Sequence, residues 1–378
     1  MSLFIDIHSL HTVPPSLINR DDTGAPKSAI FGGVSRQRVS SQSWKRAMRK
    51  YFDQHVDSAA VGARSRRLPE SIAKRLEAHG VEQDEAIRRT EMLFKQAGIK
   101  TAVDKPKKKA EGEGEQEHSP YPRTGYLLFL SKHQIDNAVE ALLASEGEKL
   151  PKSDAKKILD TEHSVDIALF GRMVADDAAF NVDAAVQVAH ALGVHSSAPE
   201  FDYFTAVDDM AEEGEETGAG MIGTVQMMSS TLYRYASVNV DGLVANLDSE
   251  DVAIEAIQHF IEAFIQSLPT GKVTTFAHNT LPELVLVEVR RGRPVSLVSS
   301  FETPVEAQDG KDRRRVAAER LAQEATDVRT VYGLVPEASY VLGLSGLDES
   351  FSDLAETVTC PEMGEKVAND VRRILGDQ

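Results

Sequence analysis

Gln42, Lys45, Arg46 and Arg49 recur at i, i+3, i+4 and i+7, the spacing that gathers four side chains on one face of a helix. Ser40 and Ser41 stand just before them, where a serine caps a helix start. Arg20 and Lys27 lie in the preceding loop, and Arg36 and Arg38 on the approach to the helix. Free N–H groups and the dipole at a helix start favour an anion. Arg and Lys interleaved with Ser and Gln grip phosphates without reading bases. A solvated basic helix face is the plainer alternative. A second stripe at the same spacing, Trp44, Ala47, Met48 and Tyr51, is apolar and suits packing on a sheet.

Other side chains offer catalytic chemistry. His8 and His11 flank the first apolar run, and Asp21 and Asp22 follow Arg20. An Asp beside a bound phosphate can hold a metal. However, Asp21-Asp22 precede Thr23-Gly24, a turn composition, and His8 on a strand reads as packed. His190 and His195 share a stretch with Asp208, Asp209, Glu212 and Glu213, donors that suit zinc or manganese, but without HExxH or a comparable fixed spacing. Gly32-Gly33 beside Ser35 and Arg36 is a weak phosphate cradle. The chain has no Walker, GxSxG or kinase signature. The single cysteine, Cys360, excludes an intrachain disulfide and a zinc site of paired cysteines. The expectation is no metal, no cofactor and no turnover.

Those residues sit in a chain of 378 residues, 41% hydrophobic, enough for two or three folded units. The net charge of −17 argues against nucleic acid, but the charge is segregated. Residues 1–50 hold eight Lys or Arg against three Asp, whereas residues 173–233 hold no Lys or Arg and eleven Asp or Glu. Such a chain can hold RNA on one surface and keep the rest acidic. No apolar run approaches the roughly 20 residues of a membrane span. MSLFIDIHSL does not read as a signal peptide. A cytoplasmic protein without membrane contact is expected.

The elements that must position the cationic face can be read from periodicity. Leu3, Ile5 and Ile7 alternate as a strand, and a loop with Pro and Gly runs from Thr12 to the helix after Ser41. Residues 62–100 read as helical, with a basic start, and 104–120 as a flexible loop. Strands are expected at 124–131, 231–240, 284–289 and 339–344, and helices at 135–144, 153–159, 249–268 and 311–327. In the helix at 249–268, Val252, Ala256, Ile257, Phe260, Ile261 and Phe264 form the apolar stripe. Residues 182–223 read as a hairpin-like excursion. Lys152, Lys156 and Lys157 form a basic cluster that is equally readable as a solvated face. The class is α+β, a mixed sheet with helices on one face.

INRDDTGAPKSAIFGGVSRQRVSSQSWKRAMR (18–49) resembles the N-terminal signature of the CasC family, the multi-copy backbone subunit of the type I-E CRISPR surveillance complex, Cascade. QVAHALGVHSSAPEFDYFTAVDD (187–209), GAGMIG (218–223), SSTLYRYASVNVD (229–241) and FAHNTLPELVLVEV (276–289) continue the resemblance in order. The resemblance implies a modified ferredoxin-like, RNA-recognition palm (1–55, 182–190 and 225–378). It also implies an inserted helical finger domain (56–181) and a hairpin thumb (191–224). It implies a non-catalytic subunit whose copies stack along a CRISPR guide RNA. They turn out one base at regular intervals and present the others to target DNA in antiviral defence, beside other Cascade subunits. Carried over by position, Arg20, Lys27, Ser40, Gln42, Lys45, Arg46 and Arg49 grip RNA. Tyr203, Phe204, Thr205 and Val207 meet the displaced base, with Met173 behind them. Lys152, Lys156 and Lys157 line the path of target DNA. The acidic stretch would dock on basic surface of a neighbouring copy, for example around Arg64–Arg67. The alternative is a metal-dependent ribonuclease of the same superfold; a third reading is a generic single-stranded RNA chaperone.

Overall fold

The computed structural model describes residues 1–58, 60–103, 119–174, 177–206, 221–308 and 310–377. Most of the expected loop at 104–120, Val207 and the acidic residues 208–216 lie outside them. In chain order the elements are β1 (Leu3–Ser16), β2 (Ser28–Phe31), β3 (Val34–Val39), α1 (Ser41–His55), β4 (Gly62–Ser65), α2 (Leu68–Ala78), α3 (Gln83–Ala97), β5 (Thr101–Ala102), β6 (Arg123–Thr124) and β7 (Leu128–Ser131). There follow α4 (Lys132–Ala144), α5 (Lys152–Asp160), α6 (Val165–Phe170), β8 (Val186–Val188), β9 (Ala191–Gly193), β10 (Glu200–Ala206), β11 (Met221–Asn239), α7 (Val240–Leu247) and α8 (Glu250–Gln266). The chain ends with α9 (Val273–Phe276), β12 (Leu284–Arg291), α10 (Arg313–Tyr332), β13 (Ala338–Gly343), β14 (Glu356–Thr357) and α11 (Cys360–Gly376). No helix among the described residues is long and apolar enough to cross a membrane.

Two compact units emerge. The first comprises Met1–Tyr51, Val186–Val240 and Ile254–Gln378. Its sheet runs β14-β13-β12-β1-β11-β9-β3-β2, with β8 and β10 also paired to β11. Every pairing is antiparallel except β13 with β14. This is the expected α+β class, with one correction: both faces of the sheet are covered. On one face the Arg234 guanidinium sits 3.7 Å from the Trp44 ring centroid of α1 and 4.2 Å from that of Phe264 in α8. On the other, Leu10, Tyr233, Leu284 and Leu286 pack with Phe301 and with Val316, Leu321 and Ala325 of α10. The charged sequence of α10 hides an apolar stripe wide enough to seal that face.

Element limits also differ from expectation. β1 continues past Thr12 to Ser16, and its pairing with β11 shifts between Val13 and Ser16; a bulge is where a strand tolerates Pro14 and Pro15. β11 begins at Met221, ten residues before the strand read from sequence. Val252 is 42% exposed, outside the buried stripe of α8.

The second unit, Phe52–Ala185 with Asp241–Ala253, is mainly helical. Four helices share its core: Ile72 and Leu76 of α2, Leu93 and Phe94 of α3, Ile135 and Leu142 of α4 and Leu159 of α5 pack into one cluster. Its start corrects the helical reading of 62–100, because Gly62–Ser65 is a strand paired with β7.

Candidate nucleic-acid interface

Three segments of the first unit are tied together at the start of α1. Asn19 Oδ1 accepts the Ser40 N–H at 2.9 Å, the Lys27 N–H donates to Asn19 O at 3.0 Å, and the Arg38 N–H donates to Lys27 O at 2.9 Å. Ser40 caps the helix: its carbonyl accepts the Ser43 N–H at 3.0 Å and its Oγ the same N–H at 3.4 Å. The loop that carries Arg20 is held by Asp21. Its Oδ1 accepts the Thr23 N–H (2.9 Å), the Thr23 hydroxyl (2.7 Å) and the Ala25 N–H (3.0 Å). These bonds, the Thr23 hydroxyl foremost, hold the Asp21 carboxyl below its usual range. Asp21 therefore serves the turn that its sequence suggests.

Along α1 the two stripes separate as their periodicity requires. Trp44, Ala47 and Met48 are buried, whereas Gln42 and Arg46 are exposed and Lys45 and Arg49 partly so. Burial, then the nearby Arg49 charge, lowers the Lys45 ammonium below the usual lysine value. An anion at this face would reverse the second effect. Arg20 is exposed and Lys27 half-buried. Thus Gln42, Lys45, Arg46 and Arg49 lie along one solvent-facing side of α1, and backbone hydrogen bonds bring the segments of Arg20 and Lys27 to its start; Ser40, only 5% exposed, is a helix cap rather than a surface donor.

Arg36 does not join them. Its side chain is fully buried and donates to four carbonyls, Phe31 O at 3.1 Å and Gly193, Phe301 and Glu302 O at 3.0 Å. Gly32 and Gly33, with φ of 58° and 78°, form the two-residue turn of the hairpin. A Cβ on Gly32 would lie 1.6 Å from Glu302 O, so the glycines serve a turn and a close approach.

The histidines have structural partners. His8 Nδ1 lies 2.9 Å from the Tyr233 hydroxyl. His11 is buried between Thr280 and Arg234; burial and then the Arg234 charge push it down to about 3. His195 Nε2 meets the Thr231 N–H at 3.2 Å and Arg313 Nη1 at 3.0 Å. Among the described residues no three His, Cys, Asp or Glu side chains are grouped to hold a metal.

β10 and β11 form a hairpin with Tyr203 opposite Thr224, Phe204 opposite Gly223 and Thr205 opposite Ile222. Strand alternation puts Tyr203 and Thr205 on one face and Phe204 on the other. Phe204 covers Gly223, where a Cβ would come within 2.4 Å of its ring. The face of Tyr203 also carries Phe201, 69% exposed beside Tyr203 at 62%, against 37% for Phe204 on the other face; period-2 counting back from Tyr203 finds it. In the second unit Met173 is exposed between buried Arg172 and Val174. Lys152 and Lys157 are exposed on α5, but Lys156 pairs with Asp177 and lies over the Phe180 ring, so the basic cluster is smaller than its sequence suggests.

A family model described as CT1975-like protein matches residues 5–365. Among solved structures, a chain of a "CRISPR RNA-guided surveillance complex, pre-nicking" is 34% identical, with a TM-score of 0.82 over 97% of this chain and 100% of that one. A chain of a "CRISPR RNA-guided surveillance complex" is 30% identical, with a TM-score of 0.71 over 97% and 99%. Among curated proteins nothing matches.

Proposed function

The chain belongs to the CT1975-like protein family, and from that premise we propose that it is a guide-RNA-holding backbone subunit of a type I-E CRISPR surveillance complex. The observation that carries this reading is the solvent-facing stripe of Gln42, Lys45, Arg46 and Arg49 on α1, with the Arg20 and Lys27 segments tied to its Ser40-capped start, in a chain whose net charge is −17. An RNA-recognition sheet ordinarily stacks bases on aromatics of its open face. Here Tyr233 lies beneath Phe301, their ring centroids 5.2 Å apart, and α10 seals the face. RNA is therefore left to the helix mouth and the sheet's edge, where the contacts available are to phosphates.

In this reading the first unit supplies palm and thumb and the second the fingers. Phosphates lie against α1, and further copies continue the track. Phe201, Tyr203 and Thr205 meet the displaced base, and Val207 follows them in sequence. Lys152 and Lys157 face target DNA, with Lys156 reserved for Asp177. The subunit holds RNA and does not cut it, and its partners are guide RNA, target DNA, other copies and other Cascade subunits.

The test is Lys45→Glu with Arg49→Glu. Each lost phosphate contact should reduce the salt slope of single-stranded RNA binding by about 0.7. Unchanged RNA retention and slope would leave α1 a merely solvated face. Incubation of the RNA complex with a divalent metal addresses the ribonuclease alternative: cleavage at regular spacing, lost in Asp21→Ala or Asp22→Ala, would displace the RNA-holding reading.

A further inference from the structure

Beside the cationic stripe of α1 stand Arg38 and His190, two residues that the sequence does not link to each other. Arg38, two residues before Ser40, donates from Nε to Ser28 O at 3.3 Å and from Nη1 to His190 Nδ1 at 3.1 Å. A guanidinium only donates, so His190 Nδ1 is the acceptor and the ring proton resides on Nε2. His190 is exposed in the bend between β8 and β9. Its ring thus offers a surface N–H donor whose orientation Arg38 fixes. Lys27 belongs to the same corner, because its carbonyl accepts the Arg38 N–H at 2.9 Å. The Arg38 fork and the His190 imidazole meet at the edge of the cationic face, and the Lys27 charge acts on the same ring.

We infer that Lys27, Arg38 and His190 form a second phosphate subsite beside the mouth of α1. This rests on the RNA-holding role proposed above and extends it. A phosphodiester oxygen would accept from the Arg38 fork and from His190 Nε2. The corner also carries a titration. Burial first, then the charges of Arg38 and Lys27, keep His190 below the usual histidine value. A phosphate offsets those two charges, and Arg38, once turned to it, releases the His190 Nδ1 lone pair. The ring then takes up a proton from solvent and both nitrogens become donors. RNA binding is coupled to that uptake, so affinity rises as pH falls through the histidine range.

The experiment follows binding of a labelled single-stranded RNA to the full chain from about pH 8 to about pH 6. Affinity should rise towards low pH by up to about tenfold per pH unit. His190→Gln keeps a side-chain N–H but takes up no proton, and should flatten the pH dependence. Arg38→Gln should weaken binding and lower the salt slope by about 0.7. Equal pH slopes in the natural chain and His190→Gln, with Arg38→Gln unaltered in salt slope, would remove the subsite while leaving the RNA-holding role intact. Absence of RNA binding at every pH would remove both. His190 is exposed, so thermal melts of the variants should match that of the natural chain and a folding defect would not mimic either result.

Discussion

Basic residues of the same run do opposite jobs, and burial separates them. Arg36 is sealed against four carbonyls, and Arg36→Met would strand those acceptors at about 1 kcal/mol or more each. A loss of several kcal/mol in urea unfolding is therefore expected, with RNA contacts untouched until the fold fails. Lys45 and Arg49 retain solvent exposure, so their charge reversal should show in RNA binding well before it shows in stability. A second buried set governs the acid limit. Arg290 pairs with Asp6 and Glu288, and Arg329 reaches Glu288 at 2.8 Å. Burial raises the Glu288 carboxyl, but His8, Arg290 and Arg329 outweigh it and bring it to about 2, from 4.5. A depressed carboxyl stabilises the fold above its unfolded value and loses that contribution as pH falls through the folded one. Asp6, raised chiefly by burial, acts in the opposite sense. Melting temperature should fall between about pH 4.5 and pH 2, and the fall should shrink in Glu288→Gln; an identical acid profile would remove the assignment. Sequence could show that residues 18–49 are basic. It could not show which guanidinium is inside, because that depends on carbonyls contributed from Gly193, Phe301 and Glu302.

At the scale of elements, α1 was legible because it carries two clean stripes of one period, one apolar and one cationic. α11 was missed although Met363, Val367, Val371 and Ile374 are buried at helical spacing behind a Thr359–Glu362 capping box; those signals were sufficient. β4 was not legible, since a short Gly-Ala-Arg-Ser strand has no apolar alternation and exists through its pairing with β7. Composition suggests a hairpin-like excursion at 182–223, but only the β10–β11 pairing shows which aromatic faces which way. Phe201→Ser with Tyr203→Ser removes exposed rings, and should spare the melting temperature while weakening RNA binding by about 1–3 kcal/mol per lost stack. Phe204→Ser instead uncovers Gly223, and should speed amide exchange across the hairpin. Equal effects of the two changes on RNA binding would mean that strand alternation does not set the contacts.

Across the whole molecule, the cationic face of α1 and the acidic residues 208–216 occupy different stretches of sequence. A single chain offers only a short cationic track, so affinity per copy should rise as the RNA lengthens enough to seat several copies. The β10–β11 hairpin gives a direct test of how copies join. Ala206 pairs with Met221, so residues 207–220 can be replaced by an Asn-Gly turn that suits a two-residue hairpin. Such a change leaves both hydrophobic clusters and every pairing of β11 in place. The isolated chain should therefore melt as before, and its binding to an RNA too short for two copies should persist. On a longer RNA the natural chain should accumulate as a ladder of stacked copies in sedimentation or mass measurements, whereas the shortened chain should stop at scattered single occupancy. Copies that stack equally well after the replacement would show that residues 207–220 take no part in joining neighbours, and would leave the α1 surface as the sole organiser of the track.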